Sequence, residues 1–399
     1  MKDNDVLCFS HLRWGFVFQR PNHLMARAAR SSRVFFIEEP VFDDSPRFDG
    51  PFLTVKTSAE GVRVCVPHLA ANMTRAAQEG RVRSLLDGLI RDEKIVDPWC
   101  WYYSPMMLPF GERIQASRTI YDCMDELSAF AGAPAELGAR ERELLRRADV
   151  AFTGGHSLFE AKRTLHPNVH PFPSSVDALH FSAAKVATDP ADQVGIPHPR
   201  IGFFGVIDER LDVELVRLLA ETRPSWQIVM LGPVVKIDPA ILPRAPNIHW
   251  LGNKSYAELP SYLGGWDVAI LPFALNEATR FISPTKTLEY LAGGKPVVST
   301  AIRDVVHPYG DDGLVRIADR SGFSSAVESA LSDPISPAGG QAVRDLLDST
   351  SWDRTWAAMR ALVVSSWGFG TAQKAVHVAR ATSRTHDSVA SDVQGTVES

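Results

Sequence analysis

Cysteine is scarce in this chain: four in 399 residues, at positions 8, 65, 100 and 123, with no C-x-x-C pair. That excludes a zinc ribbon or a thioredoxin-like redox site. Sparse cysteine in so long a chain suits a reducing compartment. An excess of basic charge is missing as well. Lys+Arg is 42 against Asp+Glu 47, a formal net charge of -5, which gives no electrostatic footprint for nucleic acid. No apolar stretch, Trp266 to Leu275 included, approaches the ~18 residues of a spanning helix. The opening MKDNDVLCFS lacks a basic region followed by a long apolar one, so no signal peptide is read and a cytoplasmic protein is expected. No G-x-G-x-x-G follows the first strand-like run, which sets aside a dinucleotide oxidoreductase. The only D-x-D, Asp3–Asp5, precedes that run, so no metal is expected. No repeat of 20–50 residues is present.

Apolar residues make up 45% of the chain, enough for a large core. Short strand-like runs alternate with helical ones in both halves, the sign of βαβ units and parallel sheets. In the first half the strands are Val6–Phe9, Arg33–Ile37, Trp101–Tyr103, Thr119–Tyr121 and Val150–Thr153. In the second they are Ile201–Phe204, Gln227–Leu231, Val268–Leu271 and Pro296–Ser299. The stretch Asp177–His198, rich in Ala, Pro and Asp, reads as a linker. The expected organisation is a first Rossmann-like domain over 1–180 and a second over 181–350. A last helix is expected over 351–369, around Trp352 and Trp356, and 370–399 is expected to be a disordered tail. Two doubly wound α/β domains facing across a cleft would hold a ligand at the carboxyl ends of their strands.

The densest signal is LPFALNEATRFISPTKTLEYLAGGKPVVST, Leu271–Thr300. Ser283 reads as an N-cap and Pro284 as the first helical residue. A helix Thr285–Ala292 then stops at Gly293-Gly294. Its start, at a strand end, would offer free N–H groups to an anion. Ser283 and Thr285 add hydroxyls, and Lys286 adds a point charge. Lys286 and Glu289 share a helix face. Diphosphate on Lys286 and ribose on Glu289 would suit a nucleotide. An ordinary surface ion pair has the same spacing.

Pro284, Lys286, Glu289, Ala292, Gly294, Pro296, Val297 and Val298 resemble the P-x-K-x-x-E-x-x-A-x-G-x-P-V-V pattern of GT-B glycosyltransferases. The resemblance implies a GT-B fold and a nucleoside-diphosphate sugar donor, expected to be UDP-linked, held by the second domain, with the acceptor on the first and the helix 351–369 crossing back to it. It places Lys286 on the diphosphate, Glu289 on the ribose and Arg210, after Gly202-Phe203-Phe204-Gly205, near the phosphates. Many retaining members carry another glutamate eight residues before the ribose glutamate, and here that position is Phe281. The departure favours an inverting enzyme.

Two clusters in the first half follow strand ends. Ser10-His11-Leu12-Arg13-Trp14 with Gln19-Arg20-Pro21-Asn22-His23 is one. Arg13 or Arg20 could reach phosphate, and His11 and Trp14 a sugar. Tyr121-Asp122-Cys123-Met124-Asp125-Glu126-Leu127-Ser128 is the other. A sugar hydroxyl needs a general base, and Asp or Glu is usual, although Asp125 could equally cap a helix. The cluster is similar to the catalytic-base segment of xanthan-type glucuronosyltransferases, which implies Asp125 as the base. The His-Leu-Arg-Trp…Gln-Arg-Pro opening is similar to bacterial surface-polysaccharide glycosyltransferases of the teichuronic-acid type. The implied acceptor is a glycan or lipid-linked glycan. Arg81–Lys94, basic with Leu85, Leu86, Leu89 and Ile90, could lie on a membrane or be an ordinary amphipathic helix. A nucleotide-sugar epimerase or hydrolase, and a non-catalytic sugar-nucleotide-binding protein, share the donor-site features.

Overall fold

The structure is a computed structural model and describes residues 4–45, 48–333 and 337–366. The expected tail 370–399 lies outside the described residues.

The central strands are short runs buried along their whole length, such as Val6–Ser10, Val34–Glu38 and Val150–Thr153. Runs apolar on both faces belong inside parallel sheets covered by helices on each side. The first sheet runs Val41–Asp43, Arg63–Ala70, Val34–Glu38, Val6–Ser10, Trp99–Tyr102, Arg118–Cys123, Val150–Thr153, Val169–Pro171. Its pairings are parallel except for Phe52–Thr57, which pairs antiparallel with Arg63–Ala70. The second runs Ile248–Gly252, Gln227–Leu231, Arg200–Phe204, Val268–Leu271, Val297–Ser299, Arg316–Ile317, all parallel. In chain order that is 3-2-1-4-5-6, so the order reverses beside Arg200–Phe204 and opens a crevice at its carboxyl end.

Asp177–His198 is not a linker. Val176, Phe181, Ala184 and Ile196 are buried in the second domain's core. Gln193 is fully buried and accepts a hydrogen bond from Trp266 Nε1 at 2.9 Å. A helix of only five residues, Ala178–Ser182, is too short to show apolar periodicity, so the packed segment looked unstructured. The chain passes between domains just before it, near 172–176.

The basic stretch 81–94 lies in the helix Arg75–Asp92 except for its last two residues, Glu93 and Lys94. Val82, Leu86 and Leu89 face the first core, with Leu85 and Ile90 packed against it. The apolar side is therefore already covered and is not free for a bilayer.

The last described helix, Trp352–Ser365, returns to the first domain. Trp352, Trp356, Met359 and Val363 pack with Trp101, Ile120 and Phe152. Trp352 is 1% exposed and stacks on His23 at 4.6 Å between ring centroids. Trp352→Ala is expected to cost about 3–5 kcal/mol, the range for a large aromatic lost from a core. The midpoint of urea unfolding measures it.

Candidate active site

The crevice is built on strand ends stripped to backbone. Gly205 follows Arg200–Phe204 with φ at 140°, and Gly232 follows Gln227–Leu231 with the same φ. Such φ values strain any other residue. A Cβ at Gly205 would also collide with the Lys286 stem, and one at Gly232 with the Gly205 carbonyl. The lysine thus crosses the end of the central strand through space that only glycine leaves.

The helix carrying it runs Lys286–Ala292, one residue later than expected. Thr285 stands at its cap with helical angles and no side-chain capping bond. Ser283 is not the N-cap. Its carbonyl instead accepts from the Ser174 hydroxyl at 2.8 Å, across the domain boundary. Pro284 fixes the turn that precedes the helix.

Lys286 and Glu289 line one cavity with Phe18, Arg210, Tyr256 and Thr285, among others. Lys286 Nζ sits 5.7 Å from the Phe203 ring and 5.9 Å from the Phe273 ring. Burial pushes the Lys286 ammonium down to about 8, with Arg210 adding repulsion and Glu289, Asp208 and Asp125 opposing. Burial pushes Glu289 up to about 7, held back by Lys286 and Thr285. Two desolvated, opposite charges in one crevice make it a candidate binding or reaction centre.

Asp125 lies on the loop after Arg118–Cys123 and lines a second cavity with Gln19, Arg20, Ser174 and Ser283. The two cavities share Gln19, Val206, Arg210, Thr285 and Lys286 as a common wall. Burial raises the Asp125 carboxyl, offset chiefly by Arg210. The sequence-derived residues Asp125, Arg210, Ser283, Thr285, Lys286 and Glu289 therefore line two adjoining cavities with a common wall. Arg210 is anchored there by Asp208, with Nη2 to Oδ2 at 2.7 Å, and lies 5.5 Å from the Phe130 ring centroid.

The first-loop residues divide differently. The Arg20 guanidinium, 2% exposed, is committed to Asp122 through Nε and Nη2, at 3.1 and 2.8 Å to Oδ1, and to the Phe172 carbonyl. It borders the Asp125 cavity, but its donors are taken by the first domain. Arg13 pairs with Glu38 at 2.9 Å and donates to the Glu39 carbonyl. Trp14 packs edge-on against Phe36. These two fasten the loop to the neighbouring strand rather than facing the cleft. His11 keeps a buried Nδ1 without a hydrogen-bond partner. Burial, then Lys236 of the second domain, pushes it down to about 4. Sequence reasoning passed over Phe18, Asn253, Lys254 and Tyr256 as cavity walls. Phe18 stacks tilted on Tyr256 at 4.8 Å from the opposite domain, and only its position inside the quoted first loop hinted at this.

Comparison with known proteins adds to this geometry. Residues 198–333 match the family described as Glycosyl transferases group 1. A Bacillus subtilis (strain 168) protein, provisionally named the teichuronic acid biosynthesis glycosyltransferase TuaH, is 28% identical over 216 residues. That match covers 50% of this chain and 54% of the relative, so the chain spans about half the length of the curated relative it matches. Sucrose-phosphate synthase from Thermosynechococcus elongatus superposes with a TM-score of 0.66 at 14% identity, over 90% of this chain and 98% of its own. Anabaena Alr3699/HepE in complex with UDP and glucose gives 0.64 at 12% identity, over 91% and 100%. The chain thus has the GT-B fold, and its second domain carries the sequence pattern of the group 1 glycosyl transferases.

Proposed function

We propose that the protein is a glycosyltransferase. It moves a sugar from a nucleoside-diphosphate donor, UDP-linked, to a hydroxyl of a glycan or lipid-linked glycan in bacterial surface-polysaccharide synthesis. One observation carries the reading: Lys286 stands in the wall between a cavity holding Glu289 and a cavity holding Asp125. In this reading Glu289 takes the ribose hydroxyls. Lys286 and Arg210 stabilise the leaving diphosphate, with Thr285 and Ser283 as hydroxyl donors and no metal required. Asp125 takes the proton of the acceptor hydroxyl from the opposite side. The carboxyl has the raised pKa that suits a general base. Phe281, in place of a glutamate, supports inversion at the sugar carbon. The cytoplasmic face of a membrane would present a lipid-linked acceptor, and no described helix is long and apolar enough to cross one.

Calorimetry with UDP, GDP, dTDP and their sugars at several pH values tests the donor assignment. UDP compounds should bind best. Their affinity should fall as pH rises past about 8, by up to about tenfold per unit. The sign follows from the free protein, where Lys286 loses its proton there and must regain it to pair with phosphate. Protonation of Glu289 below about 7 removes a negative charge beside the diphosphate and does not reverse the trend. Equal binding of all three bases, or affinity rising as pH passes about 8, would refute the assignment. Release of free sugar or an epimer without an acceptor would identify the hydrolase or epimerase instead.

A further inference from the structure

The helix His156–Lys162 touches the Asp125 loop at one end, the second domain at the other, and belongs to neither cavity's ligand set. Its two leading glycines face opposite ways. A Cβ on Gly154 would collide with the Met124 carbonyl, next to Asp125. A Cβ on Gly155 would collide with the Asp304 carboxylate and stand 2.9 Å from Ser283 Cβ, both in the second domain. Asp304 reaches across the boundary to accept the Ser157 N–H at 3.0 Å. It is 6% exposed, so the contact is shielded from water.

The far end of the helix holds the same loop. Lys162, 6% exposed, pairs with Glu126 at 2.6 Å and Glu141 at 2.8 Å. Tyr121 donates to Glu141 at 2.9 Å, and Ser128 donates to Glu126 at 2.5 Å. A buried lysine shared by two carboxylates holds both, since losing the lysine leaves two desolvated carboxylates without their counter-charge. Asp125 is the immediate neighbour of Glu126, and its backbone carbonyl accepts the Leu127 N–H.

We propose that this helix is a strut that places the Asp125 carboxylate when the second domain closes on the first, with Lys162 as its positioning residue. The proposal rests on the reading of the cleft as a nucleotide site. Closure seats Asp304 and Ser283 against Gly155. The helix carries that contact to Met124 through Gly154 and to Glu126 through Lys162. The Asp125 loop is then ordered by an event in the other domain.

Hydrogen exchange on the full chain, with and without saturating UDP, tests this. None of residues 124–130 lines the Glu289 cavity. In the wild type UDP should nevertheless slow their exchange by about tenfold, inside the roughly 5- to 150-fold range of ordinary coupling between sites. Lys162→Met should abolish that slowing while keeping it at 286–292. Lys162→Arg, which keeps the charge, should preserve both. Glu126→Gln should match Lys162→Met, and replaces it should that variant fail to fold. The coupling is overturned if 124–130 is not slowed in the wild type, is slowed equally in Lys162→Met, or is lost alike in Lys162→Met and Lys162→Arg. Absence of slowing at 286–292 in the wild type would overturn the nucleotide reading instead.

Discussion

Asp125→Ala is expected to lower sugar transfer by about 10²–10⁴, the usual contribution of a general base, while UDP binds slightly tighter. The second half of that expectation follows from electrostatics. Asp125 interacts with Arg210 and Lys286, so removing its charge leaves the phosphate side of the cleft more positive. A variant merely misfolded would lose both activities together. The rate is measured with the UDP-sugar that the calorimetric panel selects, and the affinity with UDP. The wild type should lose activity on the acid side as the Asp125 carboxyl takes up its proton. That limb starts above the ordinary carboxylate range, because burial raises the group. Full activity in the variant would remove Asp125 from the mechanism.

Lys286→Met acts on the other side of the same wall. Losing a charge-assisted hydrogen bond costs about 1.5–3 kcal/mol, roughly 10- to 100-fold in UDP affinity. Turnover should fall by a further factor of about 10²–10³, the usual effect of removing one preorganised donor from developing charge. The part of the alkaline fall in UDP affinity that belongs to Lys286 should vanish with it, leaving only the fall that follows ionisation of Glu289. Glu289 loses the charge that holds its pKa down and stays protonated at neutral pH. Wild-type affinity and an unchanged pH profile would separate Lys286 from the diphosphate.

How far the sequence foretold this structure depended on distance along the chain. The alternating strands and the Pro284–Val298 pattern are local, and both were legible. Buried parallel strands announce themselves as apolar runs, and the donor motif fits within one strand–helix–strand unit. What escaped depends on partners far away in sequence. Arg20 looked free for phosphate because Asp122, 102 residues on, is invisible as its partner until the sheet forms. Lys162 carried no signal, since Glu126 and Glu141 lie in other elements. The segment 177–198 looked like a linker because its buried residues are scattered singly, not spaced along a helix.

The return of Trp352–Ser365 makes the first domain discontinuous in sequence. Its core is completed by residues that come after the whole second domain. A fragment ending before Trp352 would leave Trp101 and Phe152 without their cover, so the two halves cannot be separated by one cut. The two passages between domains also lie side by side, since Phe172, Pro173 and Ser174 border the same cavity as Ser349, Thr350 and Ser351. Paired crossings define an axis. Sliding and wide separation are disfavoured, and what remains is rotation about that line, the motion that would open and shut the cleft.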